Sequence, residues 1–224
     1  MTLYLTRHGE TAENAAGLVQ GRGLDPDLNA VGRAQAEALA RHLAGVPLAA
    51  VATSTQKRSQ QTAAPVLAEH PGAVLVVRDG LDEMDWGVHE GRGFTPASRD
   101  RETATDYERL NAHWNAGETG LRVSGGESPD DVWARVRPVL AELGAAYPEG
   151  DVLVVSHRRL LRVLLAGMLP GGGLERMPSY PHPNAALSVV GVPGGVLGPD
   201  VRLVTLAETS FLDGTAEQVG SAQT

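Results

Sequence analysis

An alternation of short strand-like runs with longer helical ones leaves few folds open to this sequence. Thr2 to Thr6 (TLYLT) reads as a buried strand that ends at an Arg7-His8-Gly9 turn. From Asn29, a good N-cap, Val31, Ala34, Ala38 and Leu39 recur at helical spacing and form one apolar face. Leu48 to Thr53 reads as a second strand, Thr55 to His70 as a helix with Pro65 as a candidate kink, and Ala73 to Val77 as a third strand. Strand, helix, strand, helix, strand at these spacings calls for right-handed crossovers. The expected fold class is therefore α/β, a three-layer sandwich with a mostly parallel central sheet and helices on both faces.

Residues 84–126 break that rhythm. They hold Trp86, Phe94, Tyr107 and Trp114 among charges and glycines with no clear strand period, and they read as an inserted lid. Ser128-Pro129-Asp130-Asp131 then supplies an N-cap, a proline at the first helical position and an acid at the third. Val132, Val136, Val139, Leu140 and Leu143 give the following helix its apolar stripe, which Pro138 is expected to bend. Asp151 to Ser156 (DVLVVS) is the clearest buried strand, followed by a buried helix from Leu160 to Met168. After a turn-rich stretch, Ala185 to Val192 and Val201 to Leu206 read as paired strands joined around Pro193-Gly194-Gly195. The expectation is one domain over residues 1–212, with a frayed polar tail from 213 to 224.

Composition excludes several chemistries. There is no cysteine, so a thiolate nucleophile, a zinc-thiolate centre and a disulfide are all impossible. A formal net charge of −8 disfavours a general nucleic-acid binder. No apolar run reaches the roughly 20 residues that span a bilayer, and MTLYLTRHGE lacks the features of a signal peptide, so a cytoplasmic protein without a membrane partner is expected. Of the 19 basic residues only Lys57 is a lysine. Guanidinium suits bidentate contact with phosphate, but a genome-wide arginine preference explains the ratio more simply, so position has to carry the argument.

Position does so at two strand ends. Leu3 to His8 and Val154 to His157 are strand-like runs that both end in histidine, and in a parallel sheet the carboxyl ends of strands share the edge where ligands bind. Arg7 precedes the first histidine, and Gly9 is expected to let the backbone approach an anion that a Cβ would obstruct. Arg58 comes from the start of the helix after the second strand, and Glu83 follows the third strand by a short turn. Two imidazoles, two guanidiniums and one carboxyl could thus converge on a tetrahedral dianion. His42, His70 and His113 have no such pairing and read as structural.

These residues carry a resemblance. Arg7-His8-Gly9-Glu10, Ser54 to Thr62 (STQKRSQQT), Leu81-Asp82-Glu83, Gly126-Glu127-Ser128 and Val155-Ser156-His157 together resemble the histidine phosphatase superfamily, the phosphoglycerate-mutase-like group, over residues 2 to about 190. The resemblance implies that His8 is a phosphorylated nucleophile, that Arg7, Arg58 and His157 clamp the phosphate, and that Glu83 donates a proton. It also implies secondary contacts from Asn14, Gln20 and Gly21, beside the Gly9 contact expected above, a small phosphorylated metabolite as the partner, and no metal or other cofactor.

Two departures stand out. The family usually has glycine after the second histidine, whereas here Arg158-Arg159 follow His157; Arg158 is a candidate substrate contact, and one of the pair could reach an anionic substrate tail. His89 stands where tryptophan is frequent. Met84-Asp85-Trp86-Gly87 after Glu83 differs from the Glu-Arg-His-Tyr of mutases, which favours a hydrolase over the alternative of a phosphoglycerate-type mutase. A phosphate-binding module with little turnover is the reading from another class. Oligomeric state is not readable from the sequence.

Overall fold

The computed structural model of the protein describes residues 1–93 and 100–215. Phe94 and the chain beyond residue 215, most of the expected tail, lie outside the described residues.

Six strands form one sheet: β1 (Thr2–Arg7), β2 (Leu48–Thr53), β3 (Val74–Val77), β4 (Asp151–Ser156), β5 (Leu187–Gly191) and β6 (Arg202–Glu208). Their spatial order is β3-β2-β4-β1-β5-β6. The first four are parallel, while β5 runs antiparallel to β1 and β6 antiparallel to β5. The DVLVVS run is the inner strand β4, buried on both faces as its unbroken apolar pattern requires.

Period-2 alternation in the strands sorts the core into two layers. Val152 and Val154 of β4 join the larger apolar cluster with Leu3, Leu5, Val132, Val136, Leu160 and Leu164. Leu153 and Val155 face the other way, into a cluster with Leu39, Leu43, Ala63 and Val66. Hence α2 (Ala30–Leu43) and α3 (Lys57–Glu69) cover one face, and α5 (Pro129–Ala146) and α6 (Arg158–Met168) cover the other. A four-residue turn of helix, α1 (Ala12–Ala15), precedes them. The three-layer α/β arrangement is the one expected.

The helix starts follow their caps. The Asn29 side chain accepts from the Gly32 N–H, and Ser128 and Asp131 form a reciprocal capping box at α5, each cap contributing about 1 kcal/mol. Both α3 and α5 continue through their prolines, Pro65 and Pro138.

The segment 84–126 is not free of regular structure. It contains α4 (Arg101–Asn115), capped by Asp100, with Thr103, Leu110 and Trp114 buried. His89 Nε2 lies 2.7 Å from Asp106 Oδ2 and ties the segment's first turn to α4.

Candidate active site

Register brings the two histidines together. Arg7 pairs with Ser156 across β1 and β4, so His8 and His157 each occupy the next position beyond the same sheet edge. Their ring centroids are 5.2 Å apart, tilted by 54°. The His8 N–H donates to the Ser156 carbonyl at 2.9 Å, which extends the ladder by one bond.

The His8 ring has one possible tautomer when neutral. Its Nδ1 lies 2.7 Å from the Gly9 carbonyl oxygen, and a carbonyl only accepts, so the proton sits on Nδ1 and the Nε2 lone pair is free. Burial, then the charges of Arg58 and Arg7, hold the His8 pKa well below the usual imidazole value. The ring is therefore neutral and nucleophilic near pH 7. His157 is fully buried, and burial, Arg58 and His8 depress its pKa likewise. Its Nε2 lies 2.8 Å from Ser54 Oγ, which itself accepts from the Gln56 N–H and so can give its own proton to that ring nitrogen.

The arginines donate their hydrogen bonds to carbonyls, and the nearest carboxylate contact is looser, Arg58 Nη1 lying 4.0 Å from Asp25 Oδ1. Arg58, fully buried, donates to the carbonyls of Gly21 (2.9 Å) and Leu24 (2.7 Å), and Arg7 donates to that of His182 (3.3 Å). Burial and the charges of Arg158 and Arg58 lower the Arg7 pKa to about 9. A cation so poorly compensated gains from an arriving anion. Three buried nitrogens around His8, Arg7 Nε, Arg58 Nε and His157 Nδ1, have no hydrogen-bond partner.

Glu83 is held from its backbone. Arg135 donates to the carbonyls of Gly80, Asp82 and Glu83 while pairing with both oxygens of Glu127, and Glu127 Oε2 also accepts from the Asp85 N–H. The Gly126-Glu127-Ser128 motif is thus part of the support under the carboxyl group, and it caps α5 as well. The Glu83 carboxyl oxygens accept from the backbone N–H groups of Met84, Arg159 and Leu160, the last two on the first turn of α6.

A cleft is lined by Arg7, His8, Arg58, Glu83, Asn14, Gln20, Gly21 and Arg158 of the expected set, together with Trp86, Tyr107, Arg159, Arg162 and Asn184. His157 is not at its wall and stands beside His8 instead. Gly9 is not at the wall either, and its expected reason is corrected. Its N–H donates to Thr62 Oγ1, and a Cβ there would lie 2.4 Å from the Gly32 carbonyl oxygen. The glycine lets the His8 turn pack on the start of α2; it does not make room for an anion. Gly21 lies at positive φ and offers a carbonyl that orients Arg58, while Asn14 Oδ1 accepts from Asn184.

His42 stacks on Phe211, His70 bonds the carbonyls of Val66, Leu43 and Val46, and His113 pairs with Glu118, all away from the cleft. Asn184, Arg135 and Arg162 were not singled out by the sequence. Asn184 Nδ2 donates to the His8 carbonyl from 176 positions away, a contact with no local signal. Among the described residues no group of three or more His, Asp or Glu side chains is placed to hold a metal.

A doubly covered α/β sheet with two neutral imidazoles among arginines at its carboxyl edge defines a protein with a phosphate-sized anion site. The chain belongs to the histidine phosphatase superfamily, branch 1, whose family model matches residues 3–200. It is 31% identical over 188 residues to phosphoserine phosphatase 1 of Hydrogenobacter thermophilus, covering 84% of this chain and 85% of that one. It is 34% identical over 175 residues to the glucosyl-3-phosphoglycerate phosphatase of Mycobacterium tuberculosis, covering 75% and 74%. A solved structure of the mycobacterial glucosyl-3-phosphoglycerate phosphatase with VO3 superposes with a TM-score of 0.78 at 28% identity, over 93% of this chain and 99% of that one. The protein is accordingly a phosphatase, a hydrolase of phosphate monoesters.

Proposed function

We propose that the protein hydrolyses a small phosphorylated metabolite in the cytoplasm through a phosphohistidine on His8, with residues 1–212 as the catalytic unit and 84–126 as the cover of the cleft. The observation that carries this reading is the set of buried nitrogens without a partner, Arg7 Nε, Arg58 Nε and His157 Nδ1, on the three cationic or imidazole side chains that neighbour an imidazole whose Nε2 lone pair is free. Such groups are costly unless an acceptor-rich ligand meets them, and a phosphoryl group brings three oxygens.

His8 Nε2 attacks phosphorus, and the ester P–O bond breaks as the N–P bond forms. The departing alkoxide takes a proton from Glu83. The proton stays on Nδ1 throughout, donated to the Gly9 carbonyl, and this hydrogen bond stabilises the phosphoimidazolium. Ionised Glu83 then removes a proton from water as the water attacks phosphorus, releasing phosphate and neutral His8. Arg7, Arg58 and His157 stabilise the phosphoryl oxygens, so the positive charge is the protein's own.

The test is rapid mixing with a labelled phosphomonoester, followed by quench. An acid-labile, base-stable label on the protein that His8→Ala abolishes is expected, with turnover that survives EDTA. Label retained by His8→Ala overturns the assignment. Hydrolysis and mutase products are scored separately on a panel of phosphomonoesters.

A further inference from the structure

Three arginines lie within five positions on α6: Arg158, Arg159 and Arg162, and all three line the cleft. Arg158 and Arg159 sit on the first turn of the helix, where the backbone dipole is positive and cations weaken the helix, and Arg158 and Arg162 are one turn apart on the same face, where like charges weaken it again. Among the described residues none of the three is ion-paired to a carboxylate. In a chain of net charge −8, acidic partners are not scarce. An arrangement that is costly on both counts, with no carboxylate to offset it, marks a site for something else.

The three are not equivalent. Arg159 is buried, with its guanidinium 5.1 to 5.8 Å from the ring centres of Trp114, Trp86 and Tyr107, and it donates to Tyr107 Oη and Asn111 Oδ1, each at 3.0 Å. Its charge is absorbed by aromatic faces and it ties α6 to α4. Arg162 donates through Nε to the Met177 carbonyl at 2.9 Å, which fixes the stem of the guanidinium and uses none of its terminal amino groups. Arg158 is exposed at the cleft and makes no hydrogen bond or ion pair with the described residues.

We infer that Arg158 and Arg162 form a second anion subsite, which takes a carboxylate or second phosphoryl group carried by the same small phosphomonoester. The inference rests on the reading that the reacting phosphoryl group binds beside His8. Burial, then Arg159 and Arg158, lower the Arg162 pKa to about 10, a strain that an anion between the two guanidiniums relieves. The substrate class is thereby narrowed to phosphomonoesters with a second acidic group.

The test is calorimetric binding of two non-hydrolysable phosphonates, 3-phosphonopropionate and propylphosphonate, to wild type and to the double variant Arg158→Gln/Arg162→Gln. Wild type is expected to prefer the carboxylate-bearing compound about tenfold or more at low salt, and the double variant to lose most of that preference. Propane-1,3-diphosphonate, as a third ligand, shows which second anion is favoured. Should the double variant not fold, Arg158→Gln alone and a salt titration of wild type replace it; the preference should collapse by 0.5 M salt. No preference in wild type, or a preference that survives the variants and the salt, overturns the subsite. Preference without turnover of any phosphomonoester refutes hydrolysis and leaves the subsite standing, whereas failure of both phosphonates to bind overturns both readings.

Discussion

Glu83 Oε2 accepts a single hydrogen bond, from the backbone N–H of Arg159 at 3.2 Å, whereas Oε1 accepts two, from Met84 and Leu160. A carboxyl oxygen has two lone-pair directions, so the occupied Oε1 has none to spare. Oε2 is the oxygen that can carry a proton toward a leaving group or take one from water.

Replacing Glu83 with glutamine removes that proton and keeps the shape. Phosphorylation of the enzyme by an alkyl phosphate should slow by ~10² to 10⁴-fold, the usual contribution of a positioned acid, because an alkoxide must be protonated as it leaves. A nitrophenolate needs little help, so nitrophenyl phosphate should lose less than about tenfold. Single-turnover phosphorylation is the measurement, since Glu83 also acts in the second step. Equal losses on both substrates would remove Glu83 from the role of acid.

Gly9→Ala should damage activity and stability together. Its Cβ would lie 2.4 Å from the Gly32 carbonyl oxygen, a backbone atom that cannot swing away, and the Gly9 carbonyl accepts the hydrogen bond that keeps the proton on His8 Nδ1. Overpacking of this kind costs about 1 to 3 kcal/mol, and the displaced carbonyl releases the imidazole from its tautomer. Thermal melts and single-turnover rates report the two effects. A variant with native melting temperature and native phosphorylation rate would contradict the packing described.

Much of this was legible in order along the chain. DVLVVS gave β4 to the residue because an inner parallel strand has to be apolar on both faces, and the caps Asn29 and Ser128 marked helix starts that the structure shares. The helix α4 was missed, although Thr103, Tyr107, Leu110 and Trp114 fall at spacings of four, three and four. Its high charge and neighbouring glycines masked that stripe. The partners of the site were illegible for a different reason. Ser54 with His157 and Asn184 with His8 are 103 and 176 positions apart, and only the sheet order juxtaposes them. Which of Arg158 and Arg159 faces the cleft as a free cation was equally illegible, because nothing local shows the aromatic faces that enclose Arg159.

Acid should destabilise the fold through its buried imidazoles. His182 is 2% exposed, and burial lowers its pKa to about 4 from the unfolded value near 6.5. Between those values the unfolded chain binds more protons than the native one, so stability is full above pH 6.5 and falls as the pH drops below it. At pH 5 this one group removes about 2 kcal/mol relative to pH 7.5. His182→Gln should flatten the dependence of denaturant-derived stability on pH by that amount. An unchanged slope would mean that His182 is already protonated in the native protein at pH 5.

Arg159 offers the sharpest separation of structure from chemistry, because its backbone and side chain serve different ends. The N–H contacts Glu83, while the guanidinium lies against Trp86, Tyr107 and Trp114 and bonds Tyr107 and Asn111. Arg159→Met keeps the first and deletes the second. The loss of a desolvated cation–π contact and two charge-assisted hydrogen bonds should cost about 1 to 3 kcal/mol. In a protein of this size that is roughly 3 to 10 °C in Tm. Burial would raise the Tyr107 phenol, and the charges of Arg159, Arg158 and Arg162 outweigh it and lower its pKa, so the variant should also shift the Tyr107 titration upward. KM should rise as Tyr107 of α4 loosens at the cleft wall, but the ratio of alkyl to nitrophenyl phosphorylation rates should stay near wild type, since Glu83 keeps its N–H donors. If that ratio collapses as in Glu83→Gln, the guanidinium acts on the acid itself, and the division between the two halves of Arg159 is wrong.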